Sequence, residues 1–274
     1  MKITKIFNNN LVATITPDKR EALLSGTGIG FGKKTGDQVD HHKITSYYYM
    51  ENQRKKLLYQ IMETTPVIYL EIAEAILEKA TMKLQKNIQE SLLPGLVDHL
   101  YVAVMRAKQG KTVPNLILTE TSVMYPMEYE VGKWALRYIK AHLGVDLPED
   151  EAGFIAIHIQ NAEDDSHEDV SDMLMFVKET IDILEETFHL KLDITKTDYL
   201  RLTSHLKFFY QRMMKLQTTT MVHVEDMYSM LLKKHRDLPL CMERLDRLLV
   251  QEYGYHSTLS EKVYLMMHIL KMIQ

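Results

Sequence analysis

The sequence predicts a multidomain α+β protein: a small antiparallel β domain at the N-terminus, followed by two homologous all-α helical bundles. Three observations predict it. The first fifty residues alternate β-branched runs with turn residues and glycine. From residue 57 onward apolar residues recur at steps of three and four. Within that helical region a pair of histidines appears twice in matching places, His99 with His158 and His205 with His268, at spacings of 59 and 63 residues.

The β head is read first. Leu11 to Thr16 is short and β-branched, Pro17-Asp18 supplies a turn, and Ala22-Leu23-Leu24 forms the next apolar run. Gly26, Gly28, Gly30, Gly32 and Gly36 then crowd into eleven residues. Glycine is most useful where φ must be positive or where backbone must approach something closely. Ile44 to Met50 carries three adjacent tyrosines, Tyr47, Tyr48 and Tyr49, and suits a strand. Four such strands bury little core alone, so the head is expected to pair with a second copy.

The helical body follows. Leu70, Ala73, Ile76, Leu77, Ala80 and Leu84 form the stripe of an amphipathic helix. Leu147-Pro148-Glu149-Asp150-Glu151 reads as a helix start, with proline early and acids at the positive end of the dipole. Phe154, Ile155, His158 and Ile159 share one face of that helix. Tyr264, Leu265, His268 and Ile269 repeat the pattern 110 residues later, and Gly144/Gly254 and Glu151/Glu261 match at the same offset. Leu84 with Asn87-Ile88 matches Leu190 with Asp193-Ile194 at an offset of 106, as does Arg106 with Arg212. The acidic stretch Ala162 to Asp169 reads as a linker. The expected boundaries are 1–56, 57–168 and 169–274.

Composition narrows the function classes. The net charge of −4 hides a basic head: residues 1–56 hold ten Lys+Arg against five Asp+Glu, and the remainder holds 23 against 32. A basic head on an acidic body points to a polyanionic partner. No run of about 20 apolar residues exists to span a membrane. The single cysteine, Cys241, forms no internal disulfide, which fits the cytoplasm. The histidines do not fall into HExxH or cysteine-cluster spacing, so neither a metal nor another cofactor is expected. His41, His42, His142, His167, His189, His223, His235 and His256 read as surface residues. The 18 methionines, Met213-Met214 and Met266-Met267 among them, read as core filling.

Phe31 offers a ring for stacking, Asn8 and Asn10 offer amides, and Lys5, Lys33 and Lys34 offer charge for phosphates; the competing reading makes Phe31 core and the asparagines turn-formers. The four paired histidines suit phosphoryl transfer, because a neutral imidazole is a good nucleophile near neutral pH. Their competing reading is a buried, satisfied imidazole on an apolar face. Asp98 beside His99 is positioned to orient a tautomer.

At this point the chain resembles the bacterial transcriptional antiterminators of the BglG/LicT kind over nearly its whole length. The resemblance rests on KIFNNN (Lys5 to Asn10) and GTGIGFGKKTGDQVD (Gly26 to Asp40) in the head. In the body it rests on DHL at Asp98, PEDEAGFIAIHI at Pro148, SHLKFF at Ser204 and SEKVYLMMHI at Ser260. It implies a dimeric RNA-binding head that holds a leader hairpin and prevents a terminator from forming in sugar-utilisation operons. Lys5, Asn8, Asn10, Gly26, Thr27 and Phe31 would touch RNA. Thr27 stands where some members carry arginine, which removes a stacking or phosphate contact. It also implies two regulation domains phosphorylated on His99, His158, His205 and His268. The donors would be a sugar-specific transporter component and the phosphocarrier protein of the sugar phosphotransferase system. Phosphorylation of the first domain would inhibit and of the second would activate. Two alternatives stand beside this reading. One is a DNA-binding activator with the same regulation domains, which needs a helix-turn-helix head. The other is a histidine-dependent metal hydrolase.

Overall fold

The computed structural model describes residues 1–49, 52–86, 88, 92–163, 170–217 and 224–273. The acidic linker, the 168/169 boundary, Met50, Asn87, His167 and His223 fall wholly or mostly outside them. The chain divides into two compact units, residues 1–114 with 130–165, and residues 115–129 with 166–274.

The first unit opens with an antiparallel sheet of four strands in sequence order: β1 (Ile3–Asn8), β2 (Leu11–Ile15), β3 (Glu21–Ser25) and β4 (Ser46–Tyr49). The turn at Pro17-Asp18 is the one the sequence predicts, and a second turn lies at Asn9-Asn10. The head is β, so the DNA-binding alternative lacks the helices it requires. Alternation sorts the strands into two faces. Ile3, Val12, Ala22 and Leu24 face one way, against Ile29 and Val39 from the glycine-rich loop. Leu11, Ala13, Leu23 and Tyr48 face the other way and join the helical core of the same unit, beside Leu58 and Met62. Helices of the same unit cover this face of the sheet. The Tyr48 hydroxyl donates to Glu74 at 2.6 Å, which ties the sheet to those helices.

Among the described residues, four helices and most of a fifth complete this unit: α1 (Asn52–Thr64), α2 (Val67–Leu84), α3 (Leu92–Lys108), α5 (Pro126–Leu143), which joins it from Glu130, and α6 (Asp150–Glu163). The predicted stripe on α2 is the buried one, since Leu70, Ala73, Ile76 and Ala80 are inaccessible to solvent. The helix α4 (Leu118–Met124) lies between α3 and α5 in the chain but belongs to the second unit, packed on α7 (Val170–Phe188) and α8 (Thr197–Met214).

The second unit continues with α9 (Val224–Leu232), α10 (Leu238–Tyr253) and α11 (Leu259–Met272). Its core is aromatic, with Phe176, Phe209, Tyr210, Tyr253 and Tyr255 in mutual ring contact. One methionine of each adjacent pair is core: Met213 and Met266 are buried, while Met214 and Met267 are exposed, as residues 100° apart on a helix must be. The matched glycines Gly144 and Gly254 follow α5 and α10 with φ of 66° and 61°, so the duplication preserves helix ends as well as faces. Among the described residues no helix is long and apolar enough to cross a membrane.

Candidate functional site

In the head, the Asn8-Asn10 turn and the glycine-rich loop lock together. Asn8 accepts from the Asn10 amide at 2.8 Å, and the Asn10 side chain accepts from the Gly28 amide at 2.8 Å. The Gly26 and Gly30 amides donate to the carbonyls of Asn10 and Asn9, both at 2.9 Å. The side-chain oxygens of both asparagines are therefore engaged in building the loop; their NH₂ groups remain the part available to a ligand. Gly26 is likewise structural, since a Cβ there would lie 1.7 Å from the Lys43 carbonyl oxygen. The loop ends in Phe31, 70% exposed, beside exposed Thr27 and Lys34. A large ring held out by a braced loop lacks the burial of a core residue and has an open face for stacking. Lys5 points elsewhere: it is paired with Glu63 of α1 and lies 4.9 Å over the Phe7 ring.

The histidines assemble in two pairs, one per unit. α3 brings His99 and α6 brings His158 to a ring separation of 5.0 Å. α8 brings His205 and α11 brings His268 to 3.6 Å, near-parallel. The sequence placed His158 and His268 on helix faces and marked His99 and His205 by their duplicated positions; packing of α3 on α6 and of α8 on α11 closes each pair.

The surroundings of the two pairs differ. In the first, Glu151 from α6 is 3% exposed and puts one carboxylate oxygen 2.9 Å from His99 Nε2 and the other 3.0 Å from Arg106. The His99 contact is close but not aligned as a hydrogen bond. Asp98 is exposed on α3, so the carboxylate beside His99 is Glu151 rather than the sequence neighbour expected there. In the second pair, the matching Glu261 is turned away. It receives the Tyr255 hydroxyl at 2.8 Å and the Thr258 amide at 2.8 Å, closing the capping box of α11. His205 Nδ1 instead meets the Tyr264 hydroxyl at 2.5 Å, and Arg212 stands 5.2 Å from the Tyr264 ring.

Electrostatics suit the second pair to nucleophilic work. Burial lowers the His205 pKa, assisted by Arg212 and Arg201. Burial, with His205 and Lys271 nearby, lowers that of His268 to about 4. Both imidazoles are thus uncharged at neutral pH, with a lone pair available. Among the described residues no group of three or more His, Cys, Asp or Glu side chains converges on a point. Of the surface-assigned histidines within the description, His41, His42, His142, His189 and His256 are exposed and His235 is half-buried.

Comparison with known proteins gives these features a family. The model of the CAT RNA binding domain matches residues 1–57, and that of the PRD domain matches residues 74–162 and 170–272. The chain belongs to the BglG/LicT family of transcription antiterminators. It is similar to "Transcription antiterminator LicT" of Bacillus subtilis (strain 168), 33% identical over 100% of this chain and 99% of that protein. "Beta-glucoside operon antiterminator" of Dickeya chrysanthemi is also 33% identical, over 98% of this chain and 95% of its own. The crystal structure of GlcT CAT-PRDI superposes with a TM-score of 0.52 at 29% identity, covering 59% of this chain and 97% of that one. Members join an RNA-binding head to regulation domains answering to the sugar phosphotransferase system, and this chain has one head and two such domains.

Four residues important to the site were not singled out as such by sequence reasoning. Glu151 was visible as a helix-start acid and, with Glu261, as a mark of duplication, not as a partner of His99. Tyr264 was read as one member of a helix face, and its role depends on a hydroxyl that Phe154 lacks at the matching place. Arg201 carried no signal.

Proposed function

We propose that this antiterminator binds a leader-RNA hairpin through Phe31, Thr27 and the side-chain amides of Asn8 and Asn10, with Gly26 shaping the loop that presents them and Lys5 exchanging Glu63 for an RNA phosphate, acting as a homodimer in the cytoplasm. Binding prevents the overlapping terminator from forming, so polymerase reads into sugar-utilisation genes. The four histidines receive phosphoryl groups: His99 and His158 from a sugar-specific transporter component, His205 and His268 from the phosphocarrier protein. The first input lowers activity and the second raises it. The protein accepts the group and changes packing; it is not an enzyme.

The observation that carries this reading is the pairing of two uncharged imidazoles, 3.6 Å apart, on two different helices of one regulation domain. A dianionic group added there must change how α8 and α11 meet. The test is a terminator read-through reporter in cells that can or cannot phosphorylate the carrier. His205→Ala with His268→Ala should abolish activation, and His99→Ala with His158→Ala should abolish inhibition. Wild-type responses in both double variants would remove the assignment.

A further inference from the structure

The second histidine pair lines a cleft of about 250 Å³. On α8, Asp198, Arg201 and His205 follow one another at helical spacing along one face. On α11, His268 and Lys271 do the same. Both faces line the cleft. At its mouth one oxygen of Asp198 lies 3.5 Å from Arg201 and 3.1 Å from Lys271, so a carboxylate bridges two cations beside the paired rings. These three side chains are 43–60% exposed, which makes their mutual pairing weak and readily exchanged.

We propose that Arg201 and Lys271 form an anion seat for the phosphoryl group carried by His205 or His268, and that Asp198 fills this seat while the pair is unmodified. The inference rests on the reading of these histidines as phosphoryl acceptors. A phosphoryl group offers three oxygens and nearly twice the charge of a carboxylate, and a guanidinium with an ammonium beside it suits that load better than it suits Asp198. Transfer itself is balanced without other reactants. The neutral acceptor nitrogen's lone pair forms the new P–N bond, and the donor P–N bond breaks with its electron pair staying on the donor nitrogen. A ring-protonated donor leaves as neutral imidazole, and the acceptor keeps the proton on its other nitrogen. Arg201 and Lys271 act on the product, not on the bond: they hold the phosphoryl oxygens and release Asp198, which loosens a tie between α8 and α11.

Duplication makes the contrast sharp. At the matching places the first unit has Leu92 for Asp198, Gly95 for Arg201 and Asn161 for Lys271. A Cβ on Gly95 would stand 3.8 Å from the His158 ring, so no side chain competes for that space. Arg106, which shares Glu151 with His99, is already held by that buried carboxylate. A phosphoryl group there meets an anion first, and its effect is to disrupt. The opposite signs assigned to the two domains follow from these two environments.

The test uses the full-length protein with phosphoramidate as the phosphoryl donor, and phosphopeptide mapping as the readout. Arg201→Gln and Lys271→Gln should each shorten the lifetime of phosphate on His205 or His268 by roughly tenfold, as loss of a charged hydrogen bond implies, with label on His99 or His158 unchanged. Asp198→Asn, which frees the seat without emptying it, should raise second-pair occupancy. All three positions are at the surface, and circular dichroism verifies that the variants fold. Second-pair label that is indifferent to all three substitutions overturns the seat alone. Failure of wild-type protein to take label on either His205 or His268, from phosphoramidate and from a phosphorylated carrier alike, overturns the acceptor reading and the seat with it.

Discussion

The Tyr264 hydroxyl stands 2.5 Å from His205 Nδ1, and the matching helix position in the first regulation domain is Phe154, whose ring faces His99 at 5.8 Å but offers it no polar atom. The difference propagates outward. Thr258 and Tyr255 capture Glu261, where the first copy has Pro148 and Val145, neither of which offers a side-chain donor. Glu151 is thereby left to bridge His99 and Arg106. A few side chains thus give two duplicated histidine pairs unlike polar partners, a carboxylate in one domain and a phenol in the other.

Tyr264→Phe should make the second site resemble the first. His205 loses its partner while the ring packing stays, so the expected cost is about 1 kcal/mol of stability. The phenol constrains which His205 nitrogen is free, so the variant should also shift phosphoryl label between His205 and His268. Thermal melting measures the first effect and peptide mapping after carrier-driven phosphorylation the second. An unchanged label ratio would show that Tyr264 only packs.

Removing Glu151 tests the buried bridge. Glu151→Gln leaves Arg106 partly buried without its counter-charge, and the expected loss is about 3 kcal/mol. Glu261→Gln disturbs a helix cap and a hydroxyl contact but leaves no cation stranded, and should cost only about 1 kcal/mol. Chemical denaturation of the two variants side by side gives the comparison. Equal losses would mean that Glu151 serves its helix rather than His99 and Arg106.

The second pair also sets a pH response. Folding lowers the proton affinity of His205 and takes His268 from an ordinary value near 6.5 to about 4. A depressed folded pKa contributes stability that is fully present above the unfolded value and is lost as pH falls toward the folded one. Stability should therefore decline between about pH 6.5 and 4, beyond the loss from carboxylates lower in that range. His268→Asn should flatten the slope in the upper part of the window, read as the melting temperature from pH 7 to pH 5.

Sequence reasoning reached different depths in different places. The β-branched run of β2, the turn at Pro17-Asp18 and the stripe on α2 marked element type, and the buried face of α2 follows from its stripe. The histidine pairs were legible because duplication put the same residue on the same helix face twice. The partners of those histidines were not legible. Asp98 is adjacent to His99 in sequence, but neighbours on a helix point about 100° apart, and the carboxylate that meets His99 arrives from α6, 52 residues later. The asparagines of the head were weighed between turn-building and RNA contact, and their side-chain oxygens do the first. The placement of α4 with the second unit has no local signature either, since nothing in Leu118 to Met124 states which helices it will pack against.

The head separates two kinds of residue that sequence treats alike. Gly26 carries no room for a side chain, so Gly26→Ala should unfold or rearrange the loop through collision with the Lys43 carbonyl and lower the melting temperature of the head. Phe31 is 70% exposed, so Phe31→Ala should leave the melting temperature unchanged. If its ring stacks on a base, that variant should nevertheless weaken binding to the leader hairpin by about tenfold or more, since base–aromatic stacking is worth about 1–3 kcal/mol. Hairpin titrations at fixed salt, paired with melting curves, distinguish the two. Full affinity in a stable Phe31→Ala protein would exclude the ring from the RNA interface and move the search to the lysines of the same loop.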